Sequence, residues 1–143
     1  MKVFLCLLVA SIAGLAASND DVAHISYTTL SGTADPVHSV NWTVGLRHET
    51  TFHYIMKAQA WFDEENFGFE TIDSDYGKVV TSIGRLANDY NEKVAWQLFI
   101  LPEYPTEWGT IPDDSFRANK AVDNILIEDN QHFLFIYLEY KEK

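Results

Sequence analysis

The chain has 143 residues, of which 10 are lysine or arginine and 21 are aspartate or glutamate, giving a formal net charge of −11. Such an acidic surface repels phosphate backbones and anionic lipid, which excludes nucleic acid and membrane surfaces as expected partners. The length suits one domain with a hydrophobic core, and the single cysteine, Cys6, offers no disulfide to stabilise it.

The first eighteen residues have the pattern of a secretory signal peptide. Lys2 gives a basic start, and Val3–Leu15 forms an apolar segment that is short for a membrane span. Small residues at Ala16 and Ser18 mark a cleavage point. We therefore predict that residues 1–18 are removed and that residues 19–143 form one secreted domain without membrane insertion.

A hairpin is predicted next, from two strand-like segments, His24–Leu30 and Val37–Leu46, joined by the turn-forming sequence SGTADP. The second segment alternates between apolar and polar residues, as a half-buried strand does. Asn41 lies on its polar phase and begins Asn-Trp-Thr, the one N-glycosylation sequon of the chain. We expect Asn41 to face solvent, as a potential glycosylation site where a glycan can be tolerated.

A helix follows the hairpin. Thr50 or Thr51 is suited to cap it, and an acidic cluster followed by Gly68 ends it near Asn66. Four residues recur at the spacing of one buried helical face: Phe52, Ile55, Met56 and Ala60.

Period-two patterns then predict strands at Phe67–Ile72, Val79–Ile83, Val94–Leu101 and His132–Tyr140. Residues 102–129 contain prolines and acids that favour a surface loop, with either a helical turn or a short edge strand in Ala118–Asp129. The expected fold class is α+β: a small, mostly antiparallel β-sheet with one main helix packed across it.

The segment Asp75–Leu101 resembles the C-terminal β-rich domain of the vitamin B12 carriers, the family of transcobalamin, intrinsic factor and haptocorrin. It is still more similar to stand-alone transcobalamin-like C-terminal domains of secreted proteins. The matching features succeed one another along nearly the whole mature chain: FHYIMKAQ, FGFET, Tyr76-Gly77, TSI followed by LAND, Trp96-Gln97, and a last strand ending at Tyr140.

This resemblance implies a β-grasp-like fold and non-covalent binding of a small molecule, with cobalamin or another corrinoid as the candidate ligand. It also implies that the ligand lies on one face of the sheet. The carriers have a helical barrel domain for the other half of the site, so we expect a one-sided site with weaker binding here. The ligand-binding residues that the resemblance implies are Thr81, Ser82, Ile83, Trp96, Gln97, Leu98, Trp108 and Gly109.

Each of these residues also has a structural interpretation. Alternation favours Trp96 as a core residue, whereas Gln97 has the opposite phase and faces either a ligand or solvent. Trp108 is either a recognition residue in a proline-flanked loop or a lid on the core. The competing hypothesis for the whole chain is an extracellular protein-interaction or structural domain that keeps the fold without binding cobalamin.

Enzymatic and metal chemistry have little support in the sequence. The mature chain has no cysteine, no Gly-x-Ser-x-Gly elbow and no glycine-rich phosphate loop, so we expect no enzyme. His48 and His53 lack the spacing that places two ligands on one helical face. His24 and His38 could meet across the hairpin but lack a third ligand, so no metal site is expected.

Overall fold

A computed structural model describes residues 22–32, 37–46 and 49–141. The predicted signal peptide and residues 33–36 of the predicted hairpin turn lie outside these ranges. The described elements, in chain order, are β1 (Val22–Leu30), β2 (Val37–Gly45), α1 (Phe52–Phe62), α2 (Glu64–Phe67), β3 (Phe69–Ser74), β4 (Gly77–Ile83), β5 (Leu86–Ala87), β6 (Val94–Leu101) and β7 (Gln131–Glu139).

The strands form two sheets. The larger sheet has the order β2-β1-β7-β6 and the smaller has the order β3-β4-β5. All pairs are antiparallel except β1 and β7, which run parallel and join the two ends of the described chain. Parallel strands cannot be joined by a tight turn, which agrees with the long stretch of chain between β1 and β7.

The main core lies on one face of the larger sheet, which we call the inner face. β1, β2, β6 and β7 contribute alternate apolar residues to it, and α1, α2 and β4 cover them. Phe52 of α1 stacks on Phe133 of β7 with ring centroids 4.0 Å apart, and its ring meets that of Tyr27 edge-on. Burial of these large side chains, worth roughly 1.5–3 kcal/mol for each, stabilises the fold without disulfides.

The opposite, outer face of the larger sheet carries a second apolar cluster. Its buried members are Leu30, Phe99, Leu101, Leu134 and Ile136. The segment 102–117 follows β6 and packs against this face through Trp108. The larger sheet is therefore covered on both sides.

The structure confirms the first hairpin, in which Leu30 pairs with Val37. It also confirms Val94–Leu101 as a strand with the predicted bounds. Asn41 is exposed, as its phase predicts. The glycan itself stays a prediction. One sheet was expected, whereas the described chain has two, because periodicity identifies strands but not their pairing.

The predicted helix is shorter and faces the core differently. Thr51 caps it, and α1 ends at Phe62 instead of near Asn66 because Asp63 caps the separate turn α2. Gln59, and not Ala60, occupies the buried face. Its amide oxygen accepts a hydrogen bond of 3.1 Å from the Trp42 indole, which offsets the free-energy cost of burying the amide.

Candidate functional site

Three of the predicted ligand residues lie on β4, with unequal access to solvent. Thr81 is half-buried, Ser82 is 9% exposed, and Ile83 packs in the main core. The Thr81 carbonyl accepts a hydrogen bond from the backbone of Asn88. Only Thr81 and Ser82 therefore present atoms that a ligand can reach in this conformation.

The next predicted residues lie on β6. Trp96 and Leu98 point to the inner face and belong to the main core. The Trp96 indole donates a hydrogen bond of 2.8 Å to the Leu86 carbonyl of the smaller sheet, and its backbone N–H donates to Asn88 Oδ1 at 2.8 Å. Trp96 thus joins the two sheets, and its structural interpretation accounts for its contacts.

Gln97 has the opposite phase and lies on the outer face. Its amide nitrogen donates to the Leu138 carbonyl at 3.1 Å, and its amide oxygen accepts from the Arg117 guanidinium. Arg117 in turn lies over the Phe99 ring, 5.3 Å from its centroid, and is paired with Asp114. A ligand that used the Gln97 amide would have to compete with these bonds.

Trp108 and Gly109 lie in the segment 102–117 that crosses the outer face. Trp108 is half-buried against the outer apolar cluster, while Gly109 is exposed. Tyr104 supports the indole in an edge-on contact with ring centroids 5.6 Å apart. The Trp108 side chain therefore covers apolar residues, and part of it still reaches solvent.

Polar contacts fix this segment to the sheet at both ends. The Tyr104 hydroxyl hydrogen-bonds Ser39 Oγ at 3.0 Å, and its ring meets the His132 ring edge-on. His132 Nδ1 is 2.7 Å from Ser26 Oγ, and burial lowers the pKa of this histidine. At the other end, the Ala118 N–H donates to the Leu98 carbonyl. The segment is thus anchored in place over the outer face.

An apolar cavity of about 300 Å³ lies between this segment and the outer face. We call it the loop cavity. Its residues come from the outer apolar cluster, from the prolines and aromatics of the segment, and from three acids at its edge: Leu30, Leu101, Leu134, Ile136, Pro102, Pro105, Pro112, Trp108, Thr110, Phe116, Glu103, Glu107 and Asp113.

A second concavity, larger and polar, opens beside the smaller sheet. Its volume is about 690 Å³, and Ser82 is the one predicted ligand residue that lines it. The other lining residues come from α2, from the start of β3 and from the turn into β5: Glu64, Glu65, Gly68, Phe69, Glu70, Gly84, Arg85 and Ala87.

The structure therefore divides the predicted site. Ser82 lines one concavity and Trp108 lines the other. Leu101, Leu134 and Ile136 also line the loop cavity and were not predicted from the sequence. A signal for them was present, because β6 and β7 are apolar on both phases, which is typical of strands covered on both faces.

No three potential metal-ligating side chains lie together among the described residues. His24 Nδ1 contacts Asp129 Oδ1 at 3.2 Å at an exposed position. His48 lies outside the described residues. Within the described ranges, no helix is long and apolar enough to cross a membrane.

No protein-family model matches the chain. The uncharacterized protein CG3556 of Drosophila melanogaster is 29% identical over 122 residues, covering 85% of this chain and 20% of that protein. The chain thus spans about a fifth of the curated relative that it matches.

Two solved structures share the fold. Haptocorrin in complex with Cbi aligns with a TM-score of 0.66 at 14% identity, over 92% of this chain and 28% of that one. A protein of Ruminococcus gnavus ATCC 29149, provisionally assigned as metal-binding, aligns with a TM-score of 0.57 at 13% identity, over 83% of this chain and 99% of that one.

The fold places the chain in a class of mostly β domains with a short helical layer. More particularly, it is the fold of a region of haptocorrin. The resemblance to a transcobalamin-like C-terminal domain is confirmed at the level of the fold. At 14% identity, this structural similarity does not assign a role to any individual residue.

Proposed function

We propose that this chain is a secreted, non-enzymatic domain that binds a small molecule, with a corrinoid as the leading candidate. The observation that carries the proposal is the similarity over 92% of the chain to a carrier solved with Cbi. In support, the described part of the chain offers two concavities, each with one residue that the resemblance implied: Ser82 and Trp108. A β-grasp-like topology remains part of this proposal.

In this proposal the ligand contacts Trp108 and Gly109 in the segment after β6; the alternative contacts are Thr81 and Ser82 on β4, because Trp108 and Ser82 line different concavities. The buried members position these contacts from beneath: Ile83, Trp96, Gln97 and Leu98. Tryptophan supplies a large flat apolar surface, which suits a flat ligand.

Titration of the purified secreted protein with Cbi and with cobalamin, followed by corrin absorbance, tests the proposal. We expect saturable binding with a Kd below about 1 mM, which corresponds to roughly −4 kcal/mol. Trp108→Ala should weaken binding at least about tenfold, a loss typical of a tryptophan anchor. The matched control is Trp61→Ala, which removes a tryptophan that is 83% exposed on α1.

Ser82→Ala separates the two concavities. A loss of affinity in Ser82→Ala alone would place the ligand in the polar concavity, whereas a loss in Trp108→Ala alone would place it beside the 102–117 segment. Absence of saturable binding up to about 1 mM by folded protein would refute the corrinoid proposal.

The second candidate function is an extracellular protein-interaction domain. The specific observation in its favour is the exposure of large aromatic side chains, 83% for Trp61 and 85% for Tyr76, because exposed aromatics are enriched at protein interfaces. This candidate predicts no Cbi binding, and capture of an extracellular partner that Trp61→Ala or Tyr76→Ala weakens.

A further inference from the structure

We propose that the loop cavity is a binding site for a small molecule with an apolar body and a cationic, ammonium-type head. The lining of the cavity supports this site independently of corrinoid binding. Three features of the cavity define the ligand that it suits: an aliphatic floor, aromatic walls and an acidic rim.

The floor of the cavity is aliphatic. Leu30, Leu101, Leu134 and Ile136 come from three neighbouring strands and are each less than 9% exposed. Their side chains have no hydrogen-bonding groups, so the part of a ligand that lies on them must be apolar. The volume of about 300 Å³ is at the lower end of the range of roughly 300–1,000 Å³ for small-molecule sites, which favours a small ligand.

The cavity is held open by contacts that exist without a ligand. Tyr104 ties the start of the segment to Ser39 and His132. Near its end, the Asp113 carboxylate accepts a hydrogen bond of 2.9 Å from the Ser115 N–H and caps a short helical turn. A preformed cavity needs little ordering when a ligand enters, which favours binding.

The rim of the cavity is acidic. Glu103, Glu107 and Asp113 lie on it, and no basic residue is among the described residues that line it. Glu103 and Glu107 make no hydrogen bond or ion pair within the described part of the chain. Arg117, which follows the rim, is already paired with Asp114 and Gln97. An anionic ligand would be repelled here and a cation attracted.

The walls add a second preference for a cation. Trp108 and Phe116 line the cavity, and aromatic faces attract ammonium groups, with tryptophan the strongest. Trp108 therefore provides both apolar contact and a favourable electrostatic surface next to the carboxylates. A neutral ligand of the same shape would gain only the first of these.

The test compares three probes with the same six-carbon chain: hexyltrimethylammonium, 1-hexanol and hexanoate. Calorimetric titration of the secreted protein should give saturable binding of the ammonium probe. Hexanol should bind at least about tenfold more weakly, a difference near 1.4 kcal/mol. Hexanoate should not bind. Raising the salt concentration should weaken the ammonium probe and leave hexanol unchanged.

Two variants locate the site. Glu103→Gln with Glu107→Gln should weaken the ammonium probe about tenfold without affecting hexanol. The matched control is Glu92→Gln with Glu139→Gln, which removes the same charge from exposed positions that line neither concavity. Leu134→Phe should fill part of the cavity and weaken the binding of both hexyltrimethylammonium and hexanol. If this variant fails to fold, the glutamate pair and its control locate the site.

Equal affinity for hexyltrimethylammonium and hexanol would overturn the cationic part of the proposal, and so would an equal effect of the two glutamate pairs. No binding of any probe up to about 10 mM, roughly −2.7 kcal/mol, would overturn the site itself. The Cbi titration distinguishes this outcome from failure of the corrinoid proposal, because each probe is measured without the other.

Discussion

Gln97 is a polar residue within the apolar sequence AWQLFI, and its contacts decide between a structural and a ligand-binding role. Both ends of its amide have protein partners, the Leu138 carbonyl and the Arg117 guanidinium. Sequence phase placed Gln97 opposite to Trp96, which the structure confirms. Phase could not identify Arg117 as its partner, because that contact depends on how the following segment folds back.

Gln97→Ala is predicted to lower the free energy of unfolding by about 1–3 kcal/mol, since it removes the hydrogen bonds of the buried amide to the half-buried Leu138 carbonyl and to Arg117. Urea unfolding measures this loss. Arg117→Ala and the double variant complete a cycle in which the two losses should not add, with a coupling of roughly 0.5–3 kcal/mol. Additive losses, or an unchanged midpoint in Gln97→Ala, would show that these contacts contribute little.

At the scale of the elements, strands were predictable and their partners were not. Val94–Leu101 is apolar on both phases, so its existence and bounds follow from local sequence. The parallel pairing of β1 with β7 joins residues about a hundred positions apart, and no local pattern encodes it. The division into two sheets, and with it the loop cavity, depends on such long-range contacts.

The hairpin between β3 and β4 shows how a turn is fixed by distant residues. Gly77 has φ +118°, and an added Cβ would lie 2.6 Å from Asp123 Oδ1. The same carboxylate accepts a hydrogen bond of 2.8 Å from the Lys78 N–H, and Asn124 donates to the Tyr76 carbonyl. The turn is thus bound to the chain that precedes β7.

Gly77→Ala is predicted to destabilise the domain by about 1–3 kcal/mol, because both the backbone conformation and the contact with Asp123 oppose a side chain. Thermal unfolding followed by circular dichroism measures the effect. Gly45→Ala is the matched control, since no atom lies within 4 Å of a Cβ added there. Equal melting temperatures for Gly77→Ala and wild type would contradict this account of the turn.

The stability of the domain is predicted to depend on pH through His132, which lies beneath Tyr104 of the 102–117 segment. Burial lowers the pKa of His132, so the folded state disfavours its protonation relative to the unfolded chain. The free energy of unfolding is therefore highest above the unfolded histidine pKa of about 6.5, where His132 is neutral in both states. It declines as the pH falls below that value, because the unfolded chain takes up the proton more readily. Burial, followed by the charge of Lys57, lowers the pKa of His53 in the same direction.

Urea unfolding between pH 7.5 and 5 tests this dependence. The free energy of unfolding should fall toward pH 5, and the fall should be smaller in His132→Gln, which cannot take up the proton. Comparison of the two proteins removes the background of changing carboxylate charge, which both share. Equal slopes in the two proteins would exclude His132 as a source of the pH dependence.

At the scale of the whole molecule, the sequence predicted the fold better than the residues of the site. The sequence resemblance named the fold, and the likeness to haptocorrin over 92% of the chain agrees. The ligand residues were harder to predict because a strand motif does not say which side chains stay accessible. Ile83, Trp96 and Leu98 proved to be core residues, whereas Ser82 and Trp108 line concavities.

The acidic surface and the covered sheet fit an exported binding domain. A formal charge of −11 favours solubility and disfavours polyanionic partners. The exposed Asn41 stands on the outer face of β2, where a glycan would not disturb the main core. These properties suit the proposed secretion.

The most direct test of corrinoid binding observes the four tryptophan indole N–H resonances of the 16.3 kDa chain by NMR while Cbi is added. Trp108 should shift and saturate, while Trp42, bonded to Gln59 in the core, and the exposed Trp61 should stay in place. A titration to about 1 mM in which no indole resonance moves, or only that of Trp61, would contradict the proposal.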